Sequence, residues 1–165
     1  MKNYMFIVLI SLFGYTVNAQ NSLIEGKFLN NADEKGLMLE GNDPVAYFTQ
    51  NKAVKGNEKY QSQYQSVTYY FSSEANKVIF DDNPHKYAPQ YGGFCAYAVS
   101  LGILRPIDTN IFQFVDGRLM FQHTQDAYNK FNKDTTKNTQ KADKNWPPLV
   151  KKKSGKKVTY DKPAN

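Results

Sequence analysis

Apolar and polar positions fall into short runs broken by strong punctuation. Leu37 and Leu39 alternate with Met38 and Glu40, which predicts a short strand. Gly41-Asn42-Asp43-Pro44 reads as a turn, because proline fixes φ and an aspartate there can bond back to the backbone. Val45-Ala46-Tyr47-Phe48 then reads as extended chain, and the polar stretch Asn51 to Glu58 as a loop. Val67 to Phe71 is β-branched and aromatic and predicts a strand. Ser72 or Ser73 caps a helix whose Ala75, Val78 and Ile79 share the i, i+3, i+4 spacing of one face. Asn83-Pro84 starts a further turn of helix, which Pro89 stops by disfavouring helix at Ala88. After the break at Gly92-Gly93, Phe94 to Val99 reads as a strand, with helix as the alternative.

Ile111 to Val115 and Arg118 to Gln122, joined by Asp116-Gly117, carry the signature of a β-hairpin. Thr124 caps a helix that places Ala127, Tyr128 and Phe131 on one face and continues as a polar segment to Lys144. Trp146-Pro147-Pro148 reads as the end of the folded part. The pattern shows neither an internal repeat nor a second domain. Short strands alternating with short helices predict an α+β fold, a small antiparallel sheet with short helices packed on it.

The N-terminus has its own pattern. Lys2 precedes an apolar run from Met5 to Phe13, and Val17-Asn18-Ala19 offers short residues at a cleavage site. These are the three regions of a signal peptide, and the run is shorter than the roughly 20 residues that a membrane-spanning helix needs. The expected organisation is therefore a signal peptide over 1–19, a polar lead over 20–36, one domain over 37–148 and a Lys-rich flexible tail over 149–165. Cleavage near Ala19 implies a periplasmic or secreted protein with no transmembrane anchor.

Charge adds one point. The formal net charge is +6, yet residues 20–150 hold 14 Lys and Arg against 14 Asp and Glu. The excess lies in the tail from Lys151. A basic folded face of the kind that binds nucleic acid is therefore not expected. The tail is expected to meet anionic surfaces only weakly.

Chemistry-bearing residues are few. Tyr60 to Tyr97 holds ten aromatic residues, mostly tyrosine, a composition that suits the wall of a ligand pocket as well as a core. Cys95 is the sole cysteine, so it makes no internal disulfide. It can be a buried small hydrophobe, a soft-metal ligand or a reactive thiol. His85 and His123 are the candidate metal ligands beside it, and Met38 and Met120 are further soft donors. No pair of these donors shows metal-ligand spacing. No phosphate loop, paired-histidine zinc motif or serine-nucleophile motif is present.

Several segments carry a family resemblance: Gly41-Asn42-Asp43-Pro44-Val45-Ala46-Tyr47-Phe48, Tyr69-Tyr70-Phe71-Ser72-Ser73, and the run from Asn83 to Tyr97. Asp116-Gly117-Arg118-Leu119 and Ala142 to Pro147 extend it. In these the chain resembles the exported, single-domain branch of the YHS family. Asn42, His85 and Phe94 depart from it, standing where an aromatic, an acidic residue and a tyrosine are common. The resemblance implies a small α+β domain often discussed as a soft-metal module, with no settled activity. Other branches carry several cysteines arranged for metal, and a thiolate cage cannot be built from a single sulfur. The expectation is a non-enzymatic module that binds a small molecule or a soft metal ion such as copper. Its ligand would lie near Cys95 against Tyr47, Tyr87, Tyr91, Gly92, Gly93, Phe94 and Tyr97. A thiol or redox enzyme using Cys95, and a structural or protein-interaction domain without a site, are the alternatives.

Overall fold

The computed structural model describes residues 28–156. The expected signal peptide, most of the polar lead and the last part of the tail lie outside the described residues. The elements in order are α1 (Pro44–Gln50), β1 (Asn57–Tyr64), β2 (Val67–Phe71), α2 (Glu74–Asp82), α3 (Pro84–Tyr87), α4 (Ala96–Ser100), β3 (Asp108–Val115), β4 (Arg118–Gln122), α5 (Gln125–Asn132) and α6 (Thr135–Lys153). Strands β1 and β2 form one antiparallel pair, and β3 and β4 another. The fold is α+β, with two small sheets where one was expected.

The order of these elements contains a repeat. Helix α1, hairpin β1–β2 and helices α2 and α3 recur as α4, β3–β4, α5 and the start of α6, fifty-one or fifty-two positions later. The detail recurs as well. Each hairpin pairs an eight-residue strand with a five-residue one and carries an irregularity at the same place, between Asn57 and Gln61 or between Asp108 and Phe112. Each turns through two residues of positive φ, Gln65-Ser66 and Asp116-Gly117, the conformation that matches the twist of a two-residue hairpin. The Ser73 hydroxyl accepts from Asn76 N, and the Thr124 hydroxyl accepts from Ala127 N. Asn83 accepts from Lys86 N, and Asp134 from Lys137 N. Phe80 and Phe131, at equivalent places, are both fully buried. Before each first helix the chain passes through left-handed residues, Leu39-Glu40-Gly41 and Tyr91-Gly92-Gly93. The sequence pattern conceals this duplication because caps, turns and one phenylalanine recur while most other side chains differ.

Several local expectations are corrected. Val45-Ala46-Tyr47-Phe48 is helical, because Asp43 caps α1 and Pro44 occupies its first position. Leu37 makes an isolated bridge to Thr68, and Leu39 to Gly41 is a left-handed turn, so no strand forms there. Asn57 to Tyr64 is a strand, mostly polar because it has β2 on one side only. Ala96 to Ser100 takes the helical alternative. On α2, Val78 and Ile79 are 58 % and 38 % exposed, and the helix instead buries Phe80 against Tyr69 and Phe71, with ring centroids 4.9 and 5.1 Å apart.

The core has two main parts, one per repeat. The first gathers Tyr47, Tyr69, Phe71 and Phe80 and reaches Phe121 of the second repeat. The other gathers Tyr91, Phe94, Leu104, Met120 and Phe131. Tyr47 joins the two repeats, with its ring 4.7 Å from Phe112 and 5.1 Å from Phe121 and its hydroxyl donating to Thr109 O at 2.9 Å. Helix α6 runs through Pro147 and Pro148 to Lys153, past the expected end at Pro148. Two anchors hold that stretch. Leu149 is buried, and the Asn145 side chain donates to the carbonyls of Val99 and Ser100 at the end of α4.

Candidate functional site

An open hollow of about 330 Å³ lies where the left-handed turn at Tyr91-Gly92 meets the end of α6. Rings of Phe28, Tyr64, Tyr91 and Trp146 line it, with aliphatic groups of Leu29, Ala88, Pro89 and Val150. Gln65, Gln90 and His85 supply polar groups. No Lys, Arg, Asp or Glu is among its described lining residues.

Each wall is fixed from below. Pro89 and the left-handed Tyr91 and Gly92 turn the chain sharply after α3. Gly92 is needed twice over: its φ is +56°, and a side chain would place a Cβ 1.9 Å from Leu29 O. Its carbonyl accepts from Asn31 N at 2.8 Å, which pins the segment bearing Phe28 and Leu29. Tyr91 is oriented by its hydroxyl, which donates to Asp143 Oδ1 at 2.8 Å, and Arg118 Nη1 holds the same oxygen at 2.9 Å. Burial first, and then the carboxylate of Asp143, keep the Tyr91 phenol neutral well above the usual range. Its ring stands at 67° to Trp146, with centroids 5.9 Å apart.

The residues expected at the site part company here. His85, Tyr91 and Gly92 line the hollow. Tyr47, Gly93 and Phe94 are buried in the core. Tyr87 packs edge-on against Phe48, and Tyr97 is half-buried beside α5. Cys95 does not line the hollow. It is 1 % exposed, packed with Ala98 and Ala127, and its thiol donates to Gln122 Oε1 at 3.3 Å. Burial raises its pKa, against the lowering effect of backbone N–H groups of Ala98, His123 and Tyr97. His123 is exposed. Among the described residues no three His, Cys, Asp or Glu side chains come together as a metal site. The donor set therefore does not fit a soft metal ion held by Cys95, His85 and His123.

Sequence reasoning missed nine of the twelve wall residues, Leu29, Tyr64 and Trp146 among them, because the wall is brought together from distant segments. It also underrated Asp43. That carboxylate is fully buried. Its Oδ1 accepts from Val45 N at 2.8 Å and Ala46 N at 3.2 Å. Its Oδ2 accepts from Ser72 N at 2.8 Å and from Ser72 Oγ and Asn76 Nδ2, each at 2.7 Å. Asp43 thus ties the start of α1 to the start of α2, which is more than a turn residue does.

These elements bear on ancestry. Residues 45–91 match the family model of the YHS domain. The chain contains a YHS domain. No curated protein and no solved structure matches it. The YHS match runs from α1 to the turn at Tyr91, which is one copy of the structural repeat. The second copy, from α4 onward, lies beyond it. Four lining residues of the hollow that follow α3, namely Ala88, Pro89, Gln90 and Tyr91, fall at the C-terminal end of the YHS match.

Proposed function

We propose that this protein is an exported, non-enzymatic binding module that takes a small uncharged, ring-bearing molecule into the hollow between Tyr91 and Trp146. The hollow itself carries this reading: ring faces set at an angle, three polar side chains, Gln65, Gln90 and His85, in its wall, and no Lys, Arg, Asp or Glu among its described lining residues. Such a mixture of aromatic walls and a few polar groups is the usual make-up of a small-molecule site. The ligand position moves from Cys95 to His85, Tyr91 and Gly92, and the reading favours an uncharged organic molecule over copper, since Cys95 does not line the hollow. No helix among the described residues is long and apolar enough to cross a membrane.

Trp146 is the sole tryptophan, so its fluorescence reports on the hollow. Phenol, indole and methyl glucoside, titrated separately, serve as probes of ring-bearing neutral chemistry. Saturable changes in amide spectra at Tyr64, His85 and Gly92 are expected, with a matching change in Trp146 emission for phenol and the glucoside. Val150→Phe, which fills the rim, should abolish them. The reading fails if none of the three probes moves those amides, or if the changes persist unaltered in Val150→Phe.

A further inference from the structure

Helix α6 turns one side to the fold and the other away from it. Its inward side carries Thr139, Ala142 and Leu149, all buried, with Trp146 and Val150 at the hollow. With about 3.6 residues per turn, Lys137, Lys141, Lys144, Lys151 and Lys152 fall together on the outward side, within an arc of about 100°. All five are exposed. They extend for about 22 Å along the helix. Among the described residues none of the five is ion-paired; the bridges join Lys77 to Asp81, Arg118 to Asp143 and Lys130 to Asp126. Asp143, the sole acidic residue of α6, lies off the stripe and is engaged by Arg118 and Tyr91. The balanced charge of residues 20–150 conceals this basic face, because the acidic residues sit elsewhere in the domain.

Folding does not ask for this stripe. Cations near a helix C-terminus meet the negative end of its dipole, which accounts for Lys151 and Lys152. Lys137 stands in the first turn, at the positive end, where a cation is unfavourable. Lys137 and Lys141 are one turn apart and repel each other, whereas a solvated face of mixed sign would gain from Glu–Lys pairs at that spacing. One sign of charge is therefore kept along the whole helix at some expense to its stability.

We propose that the stripe is a docking surface for a linear polyanion, an acidic polysaccharide built of uronate sugars. A single file of charges along a rod matches a single file along an extended chain, and their association gains from the counterions released. The axial steps from Lys137 to Lys141 and from Lys141 to Lys144, about 6 and 4.5 Å, are close to the length of one sugar ring. Successive carboxylates can therefore meet successive ammonium groups. A flat anionic membrane would touch the stripe along one line only, and the apolar side of α6 is buried in the domain, which leaves no face to insert. Arginine, the residue of choice for phosphate and nucleic-acid recognition, is absent from the stripe, and no aromatic ring stands on it for bases to stack on. Trp146 and Val150 face the other way, so the hollow stays open while the protein is held.

The test applies the full chain to immobilised polygalacturonate at low salt and elutes it with a sodium chloride gradient. The protein should be retained. The triple variant Lys137→Gln, Lys141→Gln, Lys144→Gln should elute much earlier and bind free polygalacturonate about tenfold more weakly. A second triple variant, Lys35→Gln, Lys52→Gln, Lys59→Gln, removes the same charge from exposed lysines elsewhere and should elute with the parent protein. The stripe variant should melt no lower than the parent, since glutamine suits a helix as well as lysine does and a like-charge pair is gone. Four results would each overturn the proposal. They are no retention of the parent protein, equal loss in the two triple variants, a stripe variant that melts well below the parent, and tighter binding to polythymidylate or phosphatidylglycerol vesicles than to polygalacturonate.

Discussion

Asp43→Asn is the sharpest test of how the first repeat is held together. The substitution keeps shape and one oxygen, so Oδ1 can still accept from Val45 N and Ala46 N. It converts the other oxygen into a donor that faces three donors: Ser72 N, Ser72 Oγ and Asn76 Nδ2. The Ser72 hydroxyl can rotate and the Asn76 amide can flip to accept, but Ser72 N cannot change its nature. One buried N–H is then left facing an N–H, at a cost of about 1–3 kcal/mol. Hydrogen bonds to a charged group contribute about 1.5–3 kcal/mol against 0.5–1.5 for neutral ones, so the bonds retained by Asn weaken too. A loss of about 2–4 kcal/mol is expected, a large share of the 5–15 kcal/mol that holds a domain folded. Asp43→Ala removes every acceptor, including the helix cap, and should cost more still. Urea unfolding followed by circular dichroism measures both, with the slope checked for two-state behaviour. A loss under about 1 kcal/mol for Asp43→Ala would show that these hydrogen bonds do not tie α1 to α2.

Three other outcomes follow from the structure. Burial raises the phenol pKa of Tyr47, Tyr69 and Tyr91 above the unfolded value. Their stabilising contribution is therefore complete below the unfolded phenol pKa of about 10 and is lost as pH climbs through it toward the folded values. Urea midpoints should fall between pH 9 and pH 11, and tyrosinate absorbance from these residues should appear only on unfolding; an unchanged midpoint would contradict their burial as neutral groups. Phe80→Ala and Phe131→Ala, at matching places, should each cost about 3–5 kcal/mol, and a loss under about 1 for either would break the equivalence of the two repeats. The Cys95 thiol should be silent to a bulky aromatic disulfide reagent in the native protein and react at once in denaturant. Rapid native-state reaction would mean that the thiol is open to solvent.

Much of the local structure was legible in the chain, wherever one residue type does one physical job. Asp116-Gly117 announces its hairpin because positive φ at two successive positions is cheap for that pair. Ser73, Thr124 and Asn83-Pro84 announce helix starts because their side chains or rings suit a backbone with free N–H groups. Where a residue has two uses, the reading went astray. Asp43-Pro44 suits a turn and a helix start equally, and α1 went unseen. Val78 and Ile79 have helical spacing, yet their face looks outward because Phe80 claims the sheet. Distant contacts left the least trace. The hollow needs Leu29, Tyr64, Tyr91 and Trp146 in one place, and no spacing along the chain encodes that. The equivalence of Cys95 and Asp43 is one of position in the repeat and of the bond each backbone N–H makes, to Arg105 O and Val54 O, and it shows only once both are folded.

The third helix of the first repeat ends at Tyr87, since Pro89 holds Ala88 in extended conformation, whereas its counterpart runs on as α6 to Lys153. That overhang brings Trp146 and Val150 to the hollow. The scaffold is present in two copies, but the hollow is not, since Trp146 and Val150 sit on the one stretch that has no twin. A change confined to that overhang would therefore reshape the hollow while leaving both repeats as they are.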